Sequence, residues 1–171
     1  STLRATLKNF IHLTKKTTGL ILLSTICATA HQAQASKESD WSFAQKTKII
    51  KYLLGSVIWP ESSLKNNSLH VCLLGQFDNS KPLMEINNTT INSHKIIVSK
   101  YSLKQTKNDC DLIYVSVSEK ANTQKIVQTY MNKPVLLISD IANFADQGGT
   151  MNFLETKGMV ALTVNVETIK N

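Results

Sequence analysis

After Arg4 the chain has no arginine. Beyond residue 35 its positive charges are lysines only, scattered singly from Lys37 to Lys170. A nucleic-acid-binding domain needs a clustered basic face, usually with arginine forks for phosphates and bases. That class is excluded here. Catalytic signatures are missing too: there is no G-x-S-x-G, no H-E-x-x-H and no phosphate-binding G-x-x-x-x-G-K-[ST]. Only two histidines follow residue 35, His70 and His94. They flank apolar runs without metal-ligand spacing, so neither a metal nor a cofactor is expected. Internal repeats and low-complexity linkers are absent.

Acidic residues are also missing from the first 35 positions, where Arg4, Lys8, Lys15 and Lys16 form a basic leader. An apolar run follows, Gly19 to Ala30, and then Ala33-Gln34-Ala35. A basic segment, an apolar segment and an A-x-A site make up a secretory signal peptide. About a dozen apolar residues are too few to span a bilayer comfortably. The alternative is a retained N-terminal anchor. A lipoprotein signal at Cys27 is disfavoured, because Ile26 stands where a small residue is expected. The expectation is cleavage between Ala35 and Ser36, leaving one domain over 36–171 in the periplasm. The chain carries +7, four of it in the leader and so +3 in the domain. Two cysteines remain there, Cys72 and Cys110. In an exported protein an even count suggests a bridge, against two separate buried thiols. A bridge would close a loop of roughly 39 residues, stabilising by about 4 kcal/mol before any strain.

The domain alternates helical and apolar-strand patterns. Ser39 or Asp40 can cap a first helix. Ile50, Leu53, Leu54, Val57 and Ile58 form its apolar stripe, with Lys46, Lys48 and Lys51 largely off it and Pro60 as the stop. Strands are expected at Ser68–Gln76, His94–Ser102, Asn108–Glu119 and Lys133–Asp140. A short helix and a polar loop fill the segment after Lys81, and a helix lies near 119–132. Thr150–Glu155 and Met159–Val166, flanking Thr156-Lys157-Gly158, read as a hairpin. The fold class is α/β: one domain, a mixed and mostly parallel sheet flanked by helices, with a C-terminal β-hairpin.

Few residues offer chemistry. Asp140 ends a strand, where open α/β sheets bind ligands, but a strand-end aspartate also caps the following turn. Gly148-Gly149 precedes a strand, not a helix, so it lacks the amides and dipole of a phosphate loop. It reads as a tight turn that sets Asn152 and Phe153, with φ > 0 at one glycine and Phe153 in the core. Together Asp140, Gly148, Gly149 and Asn152 are the candidate ligand or turn site. Asp109 and Asp111 read as a solvated loop that raises a neighbouring thiol's pKa. Tyr52 and Trp59 are candidates for partner contact, Trp59 alternatively being a core plug.

Four stretches resemble the YfiR family of periplasmic regulators: Tyr52–Pro60, Leu69–Gly75, Cys110–Ser116 and Lys133–Phe153. The last, KPVLLISDIANFADQGGTMNF, is the most specific, and GMVALTVNVE fits the family's final strand. The resemblance covers about residues 45–167. It implies a non-enzymatic homodimer that binds the periplasmic domain of an inner-membrane signalling protein, a diguanylate cyclase or a histidine kinase, and holds it inactive. Loss of that repression raises cyclic di-GMP and promotes biofilm. Cys72 and Cys110 match a family disulfide. The second cysteine pair of some members is missing, and the sequence ends where the family adds a helical segment. A different class, a small-molecule sensor using the strand ends near Asp140 and Gly148-Gly149, stays open, as does an uncharacterised hydrolase.

Overall fold

The computed structural model describes residues 30–60, 64, 66–105, 109–156 and 158–168, with side chains from residue 40 on. The basic leader, Cys27 and nearly all of the apolar run lie outside the described residues. Helix α1 spans Ala30–Ser56. Its start corrects the cap expected at Ser39 or Asp40, since both lie inside the helix. The segment Ala30–Asp40 contains no glycine or proline, and its Ala, Gln, Lys and Glu residues favour continuing a helix over stopping one. Ile50, Leu53 and Leu54 are buried as expected, but Ile58 is 79% exposed. The helix ends at Ser56, so its 3.6-residue period no longer governs position 58.

Lys46 is a second correction: it is only 5% exposed. It stands four residues before Ile50 and seven before Leu53, hence on the buried face of α1.

The remaining elements are β1 (Ser68–Leu74), α2 (Lys81–Met84), β2 (Thr90–Ile91), β3 (His94–Tyr101), β4 (Leu112–Val115), a 3₁₀ turn at Val117–Asn122, α3 (Thr123–Tyr130), β5 (Leu136–Ser139), β6 (Met151–Thr156) and β7 (Met159–Val164). They build one seven-stranded sheet in the order β2-β3-β1-β4-β5-β6-β7. The five strands from β3 to β6 are parallel, and β2 and β7 pair antiparallel at the two ends. The mixed, mostly parallel sheet with a C-terminal antiparallel pair is the expected class. Strand β2 lies in what reads as polar loop. Its turn uses Asn92 (φ 47°) and Ser93 (φ 69°), so the hairpin is made without the glycine that normally signals it. Strand β4 stops at Val115, and Val117 starts the exposed 3₁₀ turn.

Period-two alternation sorts the strands onto two cores. Leu69, Val71, Leu73, Leu112, Tyr114, Ile138, Met151 and Phe153 pack with Phe43, Ile50, Leu53, Leu54 and Trp59 on the α1 side. Cys72, Leu74, Ile113, Val115 and Leu137 pack with Ile126, Val127, Tyr130, Ile141 and Phe144 on the α3 side. Both faces are covered at the centre, which is why the central strands read as unbroken apolar runs. The described residues from Ser36 to Thr168 form one compact unit.

Candidate functional site

At the carboxyl ends of β4 and β5 a charged cluster joins α1 to the sheet. Tyr114 Oη, on the α1 side of β4, donates to Asp140 Oδ2 at 2.5 Å. Lys46 Nζ lies 2.8 Å from Asp140 Oδ1. That contact meets ion-pair distance without hydrogen-bond direction, and Oδ1 has no hydrogen-bond partner. The ammonium donates instead to Glu155 Oε1 on β6, which also accepts from Ser42, one turn earlier on α1. Aromatic rings wall the cluster: Phe43 stacks on Tyr114 at 5.7 Å between centroids, Phe77 and Phe153 meet Tyr114 edge-on, and Lys46 Nζ sits 5.9 Å from the Phe153 ring.

Burial, then the charge and hydrogen bond of Asp140, push the Tyr114 phenol well above its ordinary pKa. Burial alone would raise Glu155, but hydrogen bonds from Lys46 and Ser42 outweigh it and hold the carboxyl below its usual range. Tyr114 is thereby fixed as a neutral donor. Ser42 and Tyr114 each donate to a carboxylate, but both carboxylates also face the Lys46 ammonium, and the Tyr114 phenol stays protonated. The cluster's chemistry is that of a clamp: one buried cation between two carboxylates, Asp140 just past β5 and Glu155 on β6.

Asp140 does not cap the turn after β5. Ser139 does: its Oγ accepts from Ile141 N at 2.9 Å and donates to Val115 O at 2.8 Å. A hydroxyl reaches its own turn amide as readily as a carboxylate does, and Asp140 is left to face Lys46. The crevice at the switch of strand order, between β1 and β4, is closed. Gly75 (φ 95°) lies under the 3₁₀ turn, so that an added Cβ would sit 2.7 Å from Ser118 Oγ. The same Oγ accepts from Gln76 N at 2.9 Å.

Gly148 has φ 102°, and a Cβ there would meet Val127 Cγ1 at 2.7 Å. Gly149 is needed for space: a Cβ would lie 2.3 Å from the Phe144 ring. Both amides are used inside the turn, Gly148 N to Ala145 O at 3.1 Å and Gly149 N to Phe144 O at 3.0 Å. They do not point at a site for an anion. Asn152 is buried and staples the segment. It accepts from Phe144 N at 3.1 Å and donates to the carbonyls of Ser139, Ile141 and Phe153 at 3.0–3.2 Å. Phe153 is buried, as expected of it.

Cys72 and Cys110 form a disulfide, with Cα atoms 5.9 Å apart. Asp111, expected in solvent, is buried and accepts from His70 N at 2.8 Å, tying the start of β4 to β1. Asp109 is half-buried. His94 Nδ1 meets Asn67 Oδ1 at 2.7 Å. Trp59, at 9% exposure, belongs to the α1-side core, with Nε1 donating to Leu54 O at 3.1 Å. Tyr52 is exposed on α1, as is Trp41. The Ala35-Ser36 junction lies within α1, before the first described side chain.

The sequence reading grouped Asp140, Gly148, Gly149 and Asn152 as one candidate site; in the structure Asp140 faces Lys46, while the other three serve the turn. It missed Lys46, Glu155, Tyr114, Ser42 and Trp41. Signals for Lys46 and Glu155 were present: Lys46 keeps helical step with Ile50 and Leu53, and Glu155 follows Met151 and Phe153 at strand step.

No curated protein matches the chain significantly. The YfiR/HmsC-like family matches residues 44–171, which takes in the whole sheet and most of α1's described side chains. The chain belongs to the YfiR/HmsC-like family.

Proposed function

We propose that the protein is a periplasmic regulator, exported through a leader cleaved at Ala35-Ser36. It acts as a homodimer, holding a membrane-bound diguanylate cyclase inactive through that enzyme's periplasmic domain. The observation that carries this reading is the family match over residues 44–171. The basic-then-apolar leader supports the compartment, and the Cys72–Cys110 bridge suits an oxidising one. The charged cluster supports a contact role, since Lys46 engages both of its carboxylates and braces α1 against the sheet.

With Trp59 in the core, partner contact falls to the outer face of α1. Trp41 and Tyr52 lie there with Lys48 and Lys51, all exposed. Aromatics on a braced helix are the kind of anchor that dominates interfaces. Deleting the gene should raise cyclic di-GMP, and cross-linking in membranes should capture the cyclase. Trp41→Ala should lose the cross-link while keeping the melting temperature. Unchanged cyclic di-GMP with no captured membrane protein would defeat the reading.

A further inference from the structure

The two edges of the sheet are treated differently. On the β3 side, β2 covers only the first residues, and the chain before it, Asn87–Thr89, occupies the edge as far as Val98. Asn88 N donates to Ile96 O at 2.8 Å and Ile96 N to Thr89 O at 2.8 Å. Asn87 Oδ1 then accepts from Val98 N at 2.8 Å. That edge is closed to another strand from His94 to Val98.

Strand β7 is the other edge. It pairs with β6 over six consecutive residues without a bulge, and among the described residues no strand lies on its outer side. Soluble proteins guard such edges with lysine, proline, bulges or brevity. Met159-Val-Ala-Leu-Thr-Val164 has none of these. Next to the edge, on the sheet face away from α1, Leu154 (45% exposed) and Met159 (47%) leave an apolar surface that α3 does not reach. Leu154 lies directly across from Ala161.

We propose that β7 pairs antiparallel with β7 of a second copy, continuing the sheet across a two-fold axis at Ala161–Leu162. The strand suits itself as a partner. An antiparallel two-fold requires paired residues to share a sheet face. Centred on Leu162, it sets Val160 against Val164 and Ala161 against Thr163; centred on Ala161, it sets Val160 against Leu162 and Met159 against Thr163. Either way aliphatic meets aliphatic on the α1 side and small or uncharged residues meet on the other. No charge opposes a like charge, and every outward backbone group of the strand gains a partner. This rests on the reading of the protein as a homodimer and names the surface that makes it.

Ala161 is exposed, so Ala161→Lys and Ala161→Glu test the axis without disturbing the core. Light scattering on the purified chain should give twice the monomer mass. Each variant should fall to the monomer mass while staying folded, its melting temperature dropping only by the stabilisation that dimerisation supplied, because like charges then meet at the axis. Mixing the two variants should restore the dimer. A cysteine at Ala161 or at Leu162 should cross-link to its own copy on oxidation, with little cross-linking at Ser102, just past β3 at the other edge. A dimer that survives both charged variants overturns this interface and leaves the homodimer reading standing. A wild-type monomer overturns both, while repression of a cyclase, measured as cyclic di-GMP in the cell, remains a separate readout.

Discussion

Two polar assemblies meet at Asp140, and they are built on opposite plans. The turn from Ile141 to Phe153 is held by uncharged and mostly local bonds: Asn152, Ser139 and two glycine amides bond within a single stretch of chain, joined to the rest by Ser139 to Val115 and by Asn165 to Ala145 and Thr150. The Lys46 cluster is charged and long-range, with Glu155 109 residues from Lys46 in sequence. The neutral turn depends on shape, since a missing Cβ at Gly149 makes room for Phe144. The charged clamp depends on ionisation and brings α1 onto strands that form much later in the chain. Perturbing the first should damage folding whatever the pH. Perturbing the second should cost less and should respond to acid.

The largest effect is expected at Gly149. Gly149→Val must push Cβ into the Phe144 ring, which is fully buried. Overpacking of a ring that cannot move away should cost at least about 3 kcal/mol. Reduced soluble yield and a large fall in melting temperature are the expected observations. A variant that melts like wild type would show that the turn tolerates rearrangement and that the contrast with the clamp is false.

Asn152→Leu comes next. It leaves Phe144 N–H and the carbonyls of Ser139 and Ile141 without their side-chain partner inside the protein. Buried groups stripped of a hydrogen bond cost about 1–3 kcal/mol each, partly relieved by relaxation. A loss of about 3 kcal/mol in denaturant midpoint analysis is expected, with the same value at neutral and mildly acidic pH. A pH-dependent loss would mean that the turn and the clamp are one network.

The turn was legible in the sequence because its constraints are local. A double glycine between a strand and a strand has few uses, and positive φ at Gly148 followed directly. The strands were legible because burial on both faces leaves unbroken apolar runs. The clamp was not, although each half obeys a simple period. A lysine on an apolar stripe reads as a solvated neighbour unless its carboxylate partners are known, and those partners lie just past β5 and on β6. Helix α1 began earlier than its cap residues suggested because a favourable interior sequence outweighs an isolated Ser-Asp signal. Strand β2 was hidden by a turn that uses asparagine and serine where glycine is the usual marker.

Lys46→Met sharpens the comparison at smaller cost. Methionine fills the space of the lysine stem, so what is lost is the cation between Asp140 and Glu155. Breaking a fully buried pair costs about 3–5 kcal/mol, but the Asp140 and Glu155 side chains keep 23% and 48% exposure, so about 1–3 is expected. Lys46→Met combined with Asp140→Asn should recover part of the loss, because the uncompensated carboxylate is then removed. If the double variant is as unstable as the sum of the single ones, the two residues do not act as a pair.

The smallest effect concerns acid. Glu155 is held below its usual pKa in the folded protein, so the folded state binds its proton less readily than the unfolded chain does. Its contribution is fully present above the unfolded value, about pH 4.3, and is lost as pH falls through the lower folded value. With nearly half of the side chain in water, screening keeps the contribution under about 1 kcal/mol. Glu155→Gln keeps the size of the group, accepts from Ser42 and Lys46 through its carbonyl, and removes the titration. Melting temperatures followed from neutral pH down to about pH 3 should fall less steeply for Glu155→Gln than for wild type, the wild-type advantage at neutral pH closing only below about pH 5. Parallel curves would show that Lys46 is held by Asp140 alone, and that α1 is tied to β5 and not to β6 by charge.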